Sequence, residues 1–401
     1  MKNIHVLASI AATAALAAPL EEIPERIRGA FFGALVADAL CLGSHYEYDA
    51  PTIKQAYGGK APERYLAPGE WLGGSTHGVG WGRRNYHPGQ KAGDQTDYGQ
   101  YNLLMLEFFA KEKSSAAVDL EKLIPFWKNG LEADSWGAWR CTQTKQTLQQ
   151  VRAKAPTRSL GGMSNAMAVR SASVFGVYAS EKAAAKASRA LLFTHRNGEA
   201  LAGTEFFTRA AHKIVFRGLK PAAAIRATCD QMGAHGATSR TGRFVREQCD
   251  KGFKKFEEVS KAGSALAAEE FSDDLAMTSM ARLWEVGKTE PIKVGKASPT
   301  EGVMPSCIYM ILRYENDPIA AYQANAMVGG DNASRAVAIG MVLGAYHGIQ
   351  SVPGPFQSGL NAWKKSEKLL KKLPLLQPSA LDNIMLDPEA SADVGDLDDD
   401  L

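Results

Sequence analysis

Residues 329–348 read GGDNASRAVAIGMVLGAYHG. Two glycines lead into an aspartate, and a run rich in alanine, valine and leucine follows without proline. That composition favours a helix opening at the aspartate. Gly340, Gly344 and Gly348 recur every four residues, along one face of that helix. Glycine is unfavourable inside a helix, so the stripe implies a neighbour packed closely against it. Asp331, Asn332 and Ser334 stand at the helix start. Such side chains accept from orphan helix amides. Their oxygens also suit a hard divalent cation, so a capping reading and a ligand reading stand side by side.

Two further segments have the same character. GDQTDYG, residues 93–99, places Thr96 and Asp97 at the opening of the helical pattern TDYGQYNLLMLEFFAKEK, with Tyr101, Leu104, Met105 and Phe108 on one face. ADALCLGSHYEYD, residues 37–49, carries Asp38, His45, Glu47 and Asp49 at or just after the end of PERIRGAFFGALVADAL. That helix puts Ile27, Phe31, Leu35 and Ala39 on one face, and Gly33, Ala34 and Ala37 leave room for a close neighbour. Between these segments, residues 50–95 lose all periodicity and crowd glycines with Trp71, His77, Trp81, Arg83, Arg84, Tyr86 and His87. A loop this long in a compact protein is usually functional or disordered, and its aromatics argue against disorder.

Helical patterning resumes over 120–133, 164–180, 181–193, 199–218, 220–233 and 243–262. A second irregular stretch, EVGKTEPIKVGKASPTEGVMPSC, occupies 285–307 before helices over 305–315, 331–350 and 360–373. Lys288, Lys293 and Lys296 in that stretch either meet phosphates or form a solvated face. Trp71, Trp81, Tyr86 and His87 either stack on a base or sugar or fill the first loop's own small core. The chain has 401 residues, 45% hydrophobic, enough for a large core. A net charge of +3 calls for no polyanion partner, so no nucleic acid is expected.

The ends read differently. One lysine, an apolar stretch from Ile4 to about Leu16 and the small-x-small site Ala15-Leu16-Ala17 give residues 1–17 the layout of a signal peptide, with cleavage after Ala17 and a secreted or periplasmic product. The apolar run is too short to span a bilayer. Residues 381–401, LDNIMLDPEASADVGDLDDDL, are acidic and poor in apolar surface and read as a disordered tail. Five cysteines with no C-x-x-C spacing support neither a zinc motif nor a redox motif. In an exported chain Cys229 and Cys249 can form a disulfide; buried free thiols are the other reading.

GALVADAL, GDQTDYG and GGDNASRAVAIGMVLGAYHG together resemble three hallmark segments of the ADP-ribosylglycohydrolase superfamily, and LLFTHRNGEALAGTEFF, residues 191–207, resembles its Thr-His segment. Order and spacing agree from about Ile27 to Ile349. The resemblance implies an all-α fold, a single compact helical domain over 20–378. It also implies Mg2+-dependent cleavage of a glycosidic bond to ADP-ribose. Thr96, Asp97, Asp331 and Ser334 match metal ligands of the family. Typical members read T-D-D-T where Tyr98 replaces the second aspartate, and G-G-D-T-D-T where Asn332, Ala333 and Ser334 follow Asp331. The usual G-D-A-x-G-x-x-x-E run is missing. In its place, residues 44–49 and the G-D-N-x-S-R pattern resemble the J-type crystallin and selenoprotein J branch.

These readings converge on a Mg2+-dependent hydrolase of an ADP-ribose-like or other ribosyl or sugar substrate, with a partly degenerate site. One Mg2+ sits on Thr96, Asp97, Asp331 and Ser334. Glu47 or Asp49 serves as general base beside Asp97. His45, His87, Tyr98, Asn332 and His195 contact the substrate. The alternative is a crystallin-like binding or structural protein without chemistry, which Tyr98 and Ala333 favour.

Overall fold

The glycine stripe meets a second one. In the computed structural model, which describes residues 18–234, 239–284 and 292–377, a Cβ placed on Gly344 would lie 2.2 Å from the carbonyl oxygen of Gly29, and one on Gly340 2.2 Å from that of Gly33. The converse contacts, Gly29 to Gly344 and Gly33 to Gly340, are as tight. Two helices therefore touch backbone to backbone, which only glycine permits. They run antiparallel, so the C-terminal end of the first lies beside the N-terminal end of the other.

Fifteen α-helices are present among the described residues. In chain order they are α1 (Ile23–Cys41), α2 (Ala50–Ala56), α3 (Asp97–Glu112), α4 (Leu120–Glu132) and α5 (Thr142–Arg152). Then come α6 (Glu181–Leu191), α7 (Gly198–Arg217), α8 (Pro221–Gly233), α9 (Arg240–Ser260) and α10 (Ser272–Ser279). The last are α11 (Thr300–Arg313), α12 (Pro318–Val328), α13 (Asn332–His347), α14 (Gly354–Gly359) and α15 (Trp363–Leu370). The glycine seam joins α1 to α13 at the centre. Around it α7 and α11 bury most of the residues they contain, and one apolar core runs through the bundle, with α2 packed in a small cluster of its own. No described helix is long and apolar enough to cross a membrane. A disulfide, Cys229–Cys249, ties α8 to α9.

The all-α expectation holds, with local departures. Residues 50–95 contain α2 and a small antiparallel hairpin, β1 (Thr76–Gly78) against β2 (Gly82–Arg84), and the second irregular stretch contains β4 (Ile292–Lys293), which pairs with β3 (Leu283–Trp284) just before it. The helix expected over 164–180 is absent apart from a single 3-10 turn, Val174–Gly176. Its backbone is claimed from outside: the Asn102 amide donates to Val169 O at 2.9 Å and accepts from Ala172 N at 3.1 Å, and Met167 N donates to Ser298 O. The helices α5, α10, α12 and α14 lie outside the expected set. The expected leader, 1–17, and the acidic tail, 381–401, fall outside the described residues.

Candidate metal centre at three helix ends

The antiparallel seam carries three polar helix ends to one place. Asp38 lies near the end of α1, fully buried, and accepts from Thr96 N at 2.8 Å and Thr96 Oγ1 at 2.6 Å. That pins the start of α3 against α1. A side chain at residue 99 would collide with Asp38, so Gly99 permits the approach. The start of α13 is pinned by the turn after α1. Tyr46 N donates to Gly330 O and Gly330 N to Glu47 O, while Asn332 Nδ2 donates to Ser44 Oγ at 3.0 Å. Tyr46 pays for this turn with a left-handed backbone, φ 67°, strain that persists where surroundings impose it.

Asp97, Asp331, His45 and His87 come together there, each no more than 4% exposed. One ring nitrogen of each histidine and one Asp97 carboxylate oxygen lie within 4.8 Å of one another. His87 Nε2 stands 3.4 Å from Asp97 Oδ1, and His45 Nδ1 stands 3.9 Å from Asp331 Oδ1. Three buried atoms, His45 Nε2, Asp97 Oδ1 and Asp331 Oδ1, have no hydrogen-bond partner among the described residues. Such orphans are rare and call for an explanation. A bound cation is one, and the group of two imidazoles and the Asp97 carboxylate fits a divalent ion.

Burial sets the protonation states. It pushes Asp97 up to about 7. It does the same to Asp331, again to about 7, against the Tyr98 hydrogen bond, which pulls the other way. Burial drives His87 down to about 3, and holds His45 well below its usual range with the help of His87. Both imidazoles are therefore neutral, as metal ligands must be.

The other candidates have defined work. Thr96 Oγ1 donates to Asp38 and accepts from Tyr98 N, capping α3. Ser334 Oγ donates to the Asp331 carbonyl at 2.7 Å. Tyr98 Oη donates to Asp331 Oδ2 at 2.8 Å, and the Asn332 carbonyl faces His45 Nδ1 at 3.0 Å. Asp49 is exposed and caps α2 through Thr52 N and Oγ1. The Glu47 carboxylate is buried, but accepts from His77 N at 3.1 Å and from Arg83 Nη2 at 3.3 Å. It therefore anchors the hairpin. His195 bonds Thr194 Oγ1 at 2.8 Å, in the neighbourhood of Arg170, and makes none of the hydrogen bonds or ion pairs of the cluster. Lys296 is no phosphate-facing surface lysine: it is fully buried, donating to Tyr48 O at 2.8 Å and pairing with Asp274. Lys288 lies outside the described residues. Tyr86 is buried in a small core with Tyr46 and Tyr48, whereas Trp71 and Trp81 are exposed.

The sequence left Asp38 without a role and Arg170 unnamed. Asp38 stands in the apolar run GALVADAL as one of the polar residues at the end of the first helix. Arg170 is buried over the Tyr101 ring at 4.2 Å, with Nε and Nη1 unpartnered among the described residues. No local pattern marks it, because its segment reads as an ordinary helix.

A family model described as ADP-ribosylglycohydrolase matches residues 19–382. Among solved structures, one titled "ADP-ribosylglycohydrolase-related protein complex" has a TM-score of 0.55 at 17% identity, over 89% of this chain and 99% of that chain, which speaks to the fold alone. No curated protein matches. Members of the matched family are metal-dependent, in keeping with the His/Asp cluster. With the match running over nearly its whole length, this chain belongs to the ADP-ribosylglycohydrolase family, which marks it as a hydrolase.

Proposed function

We propose that the protein is a metal-assisted hydrolase of the glycosidic bond in an ADP-ribosyl, other ribosyl or sugar-containing small molecule. One observation carries the reading beyond the family: buried, unpartnered atoms of His45, Asp97 and Asp331 converge where α1, α3 and α13 meet. Mg2+ is the ion that the family resemblance suggests. A divalent ion at this place would polarise the scissile bond and lower the pKa of a water. Asp97 is the carboxylate that holds the ion. The Tyr98 hydroxyl fixes the orientation of Asp331 through Oδ2, leaving Oδ1 to accept a proton from the attacking water and return it to the leaving group. Glu47 holds the hairpin, and Asp49 holds α2, so neither is the preferred base.

A second reading has its own support. The cluster is buried, and the Tyr98 hydroxyl occupies an Asp331 oxygen. Both suit a crystallin-like member that keeps the fold without turnover. Residues 44–49 and G-D-N-x-S-R favour the J-type crystallin branch for either reading. Export is part of the proposal, supported by the layout of residues 1–17 and by Cys229–Cys249, since disulfides persist in oxidising compartments.

The test is a panel of ADP-ribosyl, ribosyl and pyranosyl conjugates, assayed for released sugar with divalent cations and with chelator. Cation-dependent release that disappears in Asp331→Asn supports the hydrolase. Absence of turnover on every conjugate, with cation demonstrably bound, leaves the crystallin-like reading.

A further inference from the structure

We infer that the cluster takes one borderline transition ion of the zinc class, through His45, His87 and Asp97, in place of the oxygen-bound magnesium that the family suggests. The inference shares with the proposed function the presence of a cation at this place, and differs in the ion and its ligands.

The hydrogen bonds decide which histidine nitrogens carry lone pairs. Ser44 Oγ donates its hydrogen to Ala326 O at 2.6 Å, so it accepts from Asn332 Nδ2. The Asn332 carbonyl is thereby turned toward His45 Nδ1, which must carry the proton. His45 Nε2 is then a bare lone pair, buried and without a partner among the described residues. An imidazole whose far N–H is held by a carbonyl is the usual outer arrangement of a metal-bound histidine. At His87 the backbone N–H of Asp97 donates to Nε2 at a long 3.3 Å, so Nε2 carries a lone pair rather than the proton, and an ion would take that lone pair from this weak bond. It faces Asp97 Oδ1 at 3.4 Å, acceptor toward acceptor. Two acceptors in contact inside a protein call for a proton or a metal cation between them.

The spacing selects among cations. An ion about 2.1 Å from both His87 Nε2 and Asp97 Oδ1, 3.4 Å apart, sees them at about 108°, close to tetrahedral. An octahedral ion at the same bond length needs adjacent donors about 3.0 Å apart. Imidazole nitrogen suits zinc, and magnesium keeps to oxygen. The oxygens that magnesium would use are engaged elsewhere: Thr96 Oγ1 with Asp38, Ser334 Oγ with the Asp331 carbonyl. Where typical members have further carboxylates, Tyr98 and Ala333 leave nothing to hold a second ion. Three protein ligands and an open fourth position describe a catalytic zinc site.

The experiment strips the full-length protein with chelator and titrates it with Zn2+, Co2+ and Mg2+. Elemental analysis should give one Zn2+ per chain. The cobalt form should show the intense visible bands of a four-coordinate centre, and millimolar Mg2+ should leave the bound Zn2+ in place. His87→Gln should weaken Zn2+ binding on the order of a hundredfold or more. If that variant fails to fold by circular dichroism, the wild-type cobalt spectrum decides alone. A weak six-coordinate cobalt spectrum, Mg2+ binding as tight as Zn2+, or unchanged Zn2+ affinity in folded His87→Gln would overturn the inference. Turnover is scored separately. Zinc bound at His87 without hydrolysis of any conjugate defeats the proposed function and spares this inference. Mg2+-driven hydrolysis that survives His87→Gln does the reverse.

Discussion

Two regions of this molecule bury charge to the same depth and treat it in opposite ways. Between α6 and α7, Glu181 accepts from Arg209 at 3.0 Å and Lys213 at 2.8 Å, while Glu205 accepts from Arg209 at 2.8 Å and Arg189 at 3.0 Å. Lys213 also donates to Gln231 at 2.6 Å. At the junction of α1, α3 and α13, Asp97 and Asp331 are as deeply buried; like Glu181 Oε2, one oxygen of each lacks a hydrogen bond, but among the described residues no lysine or arginine forms an ion pair with either. Burial by itself raises a carboxyl pKa. At Glu181 the charges of Lys213, His212 and Arg209 outweigh it and hold the group at about 2; at Asp97 and Asp331 nothing comparable does, and both rise to about 7. Depth of burial is thus no guide to function. A buried charge left unanswered is the better marker.

The largest effect should come from breaking the paired region. Glu181→Ala leaves Lys213 buried without its anion, while Arg209 keeps Glu205; breaking such a buried pair typically costs about 3–5 kcal/mol, and the change should lower the melting temperature with or without metal. Because the folded-state pKa of Glu181 is depressed, its contribution is complete above its unfolded value, near 4.5, and fades as pH falls through about 2. The variant should lack that portion of the acid unfolding slope. Urea titrations of both proteins across that range check the sign. An unchanged slope would mean that the network is screened by water.

At the unpaired region the expectation reverses. Asp97→Asn places an amide donor opposite His87 Nε2, so the metal-free variant should be as stable as the wild type or more so. What it should lose is stabilisation by metal, about 2.7 kcal/mol at a hundred times Kd. Thermal melts in chelator and in saturating Zn2+ separate the two. A cost of equal size in both would make Asp97 a structural residue of the start of α3 and nothing more. The smallest effect belongs to a carboxylate that the sequence also offered as a site residue. Asp49→Ala should cost about 1 kcal/mol, as loss of an N-cap, with metal binding untouched. A changed metal affinity would return Asp49 to the site.

The fold was legible because its deciding feature is written in backbone terms. The stripe Gly340, Gly344, Gly348 announces close packing, and Gly33 in α1 announces the partner. Much of the cluster was legible too, as His45, His87, Asp97 and Asp331 were all named from local motifs. Their division of labour was hidden. Thr96, Ser334 and Asp49 have the oxygens of ligands, yet the Asp38 carboxylate, the Asp331 carbonyl and the start of α2 claim them. His87 passed as a substrate contact because nothing in residues 50–95 shows that Nε2 returns to Asp97. Residues 164–180 have helical periodicity but lose their helix to Asn102 and Ser298, partners that no local window contains.

The seam between α1 and α13 also dictates an order of events. Its two stripes come from opposite ends of the chain, so α1 waits through nearly the whole of synthesis before Gly340 and Gly344 exist to receive it. Contacts of such long range are slow to form. His45 and Asp97 are made early, but the turn that orients His45 needs Gly330 and Asn332, which come late. A nascent chain therefore lacks the turn that orients His45 until Gly330 and Asn332 are made, and on the metal reading proposed above loading would follow the folding of that turn.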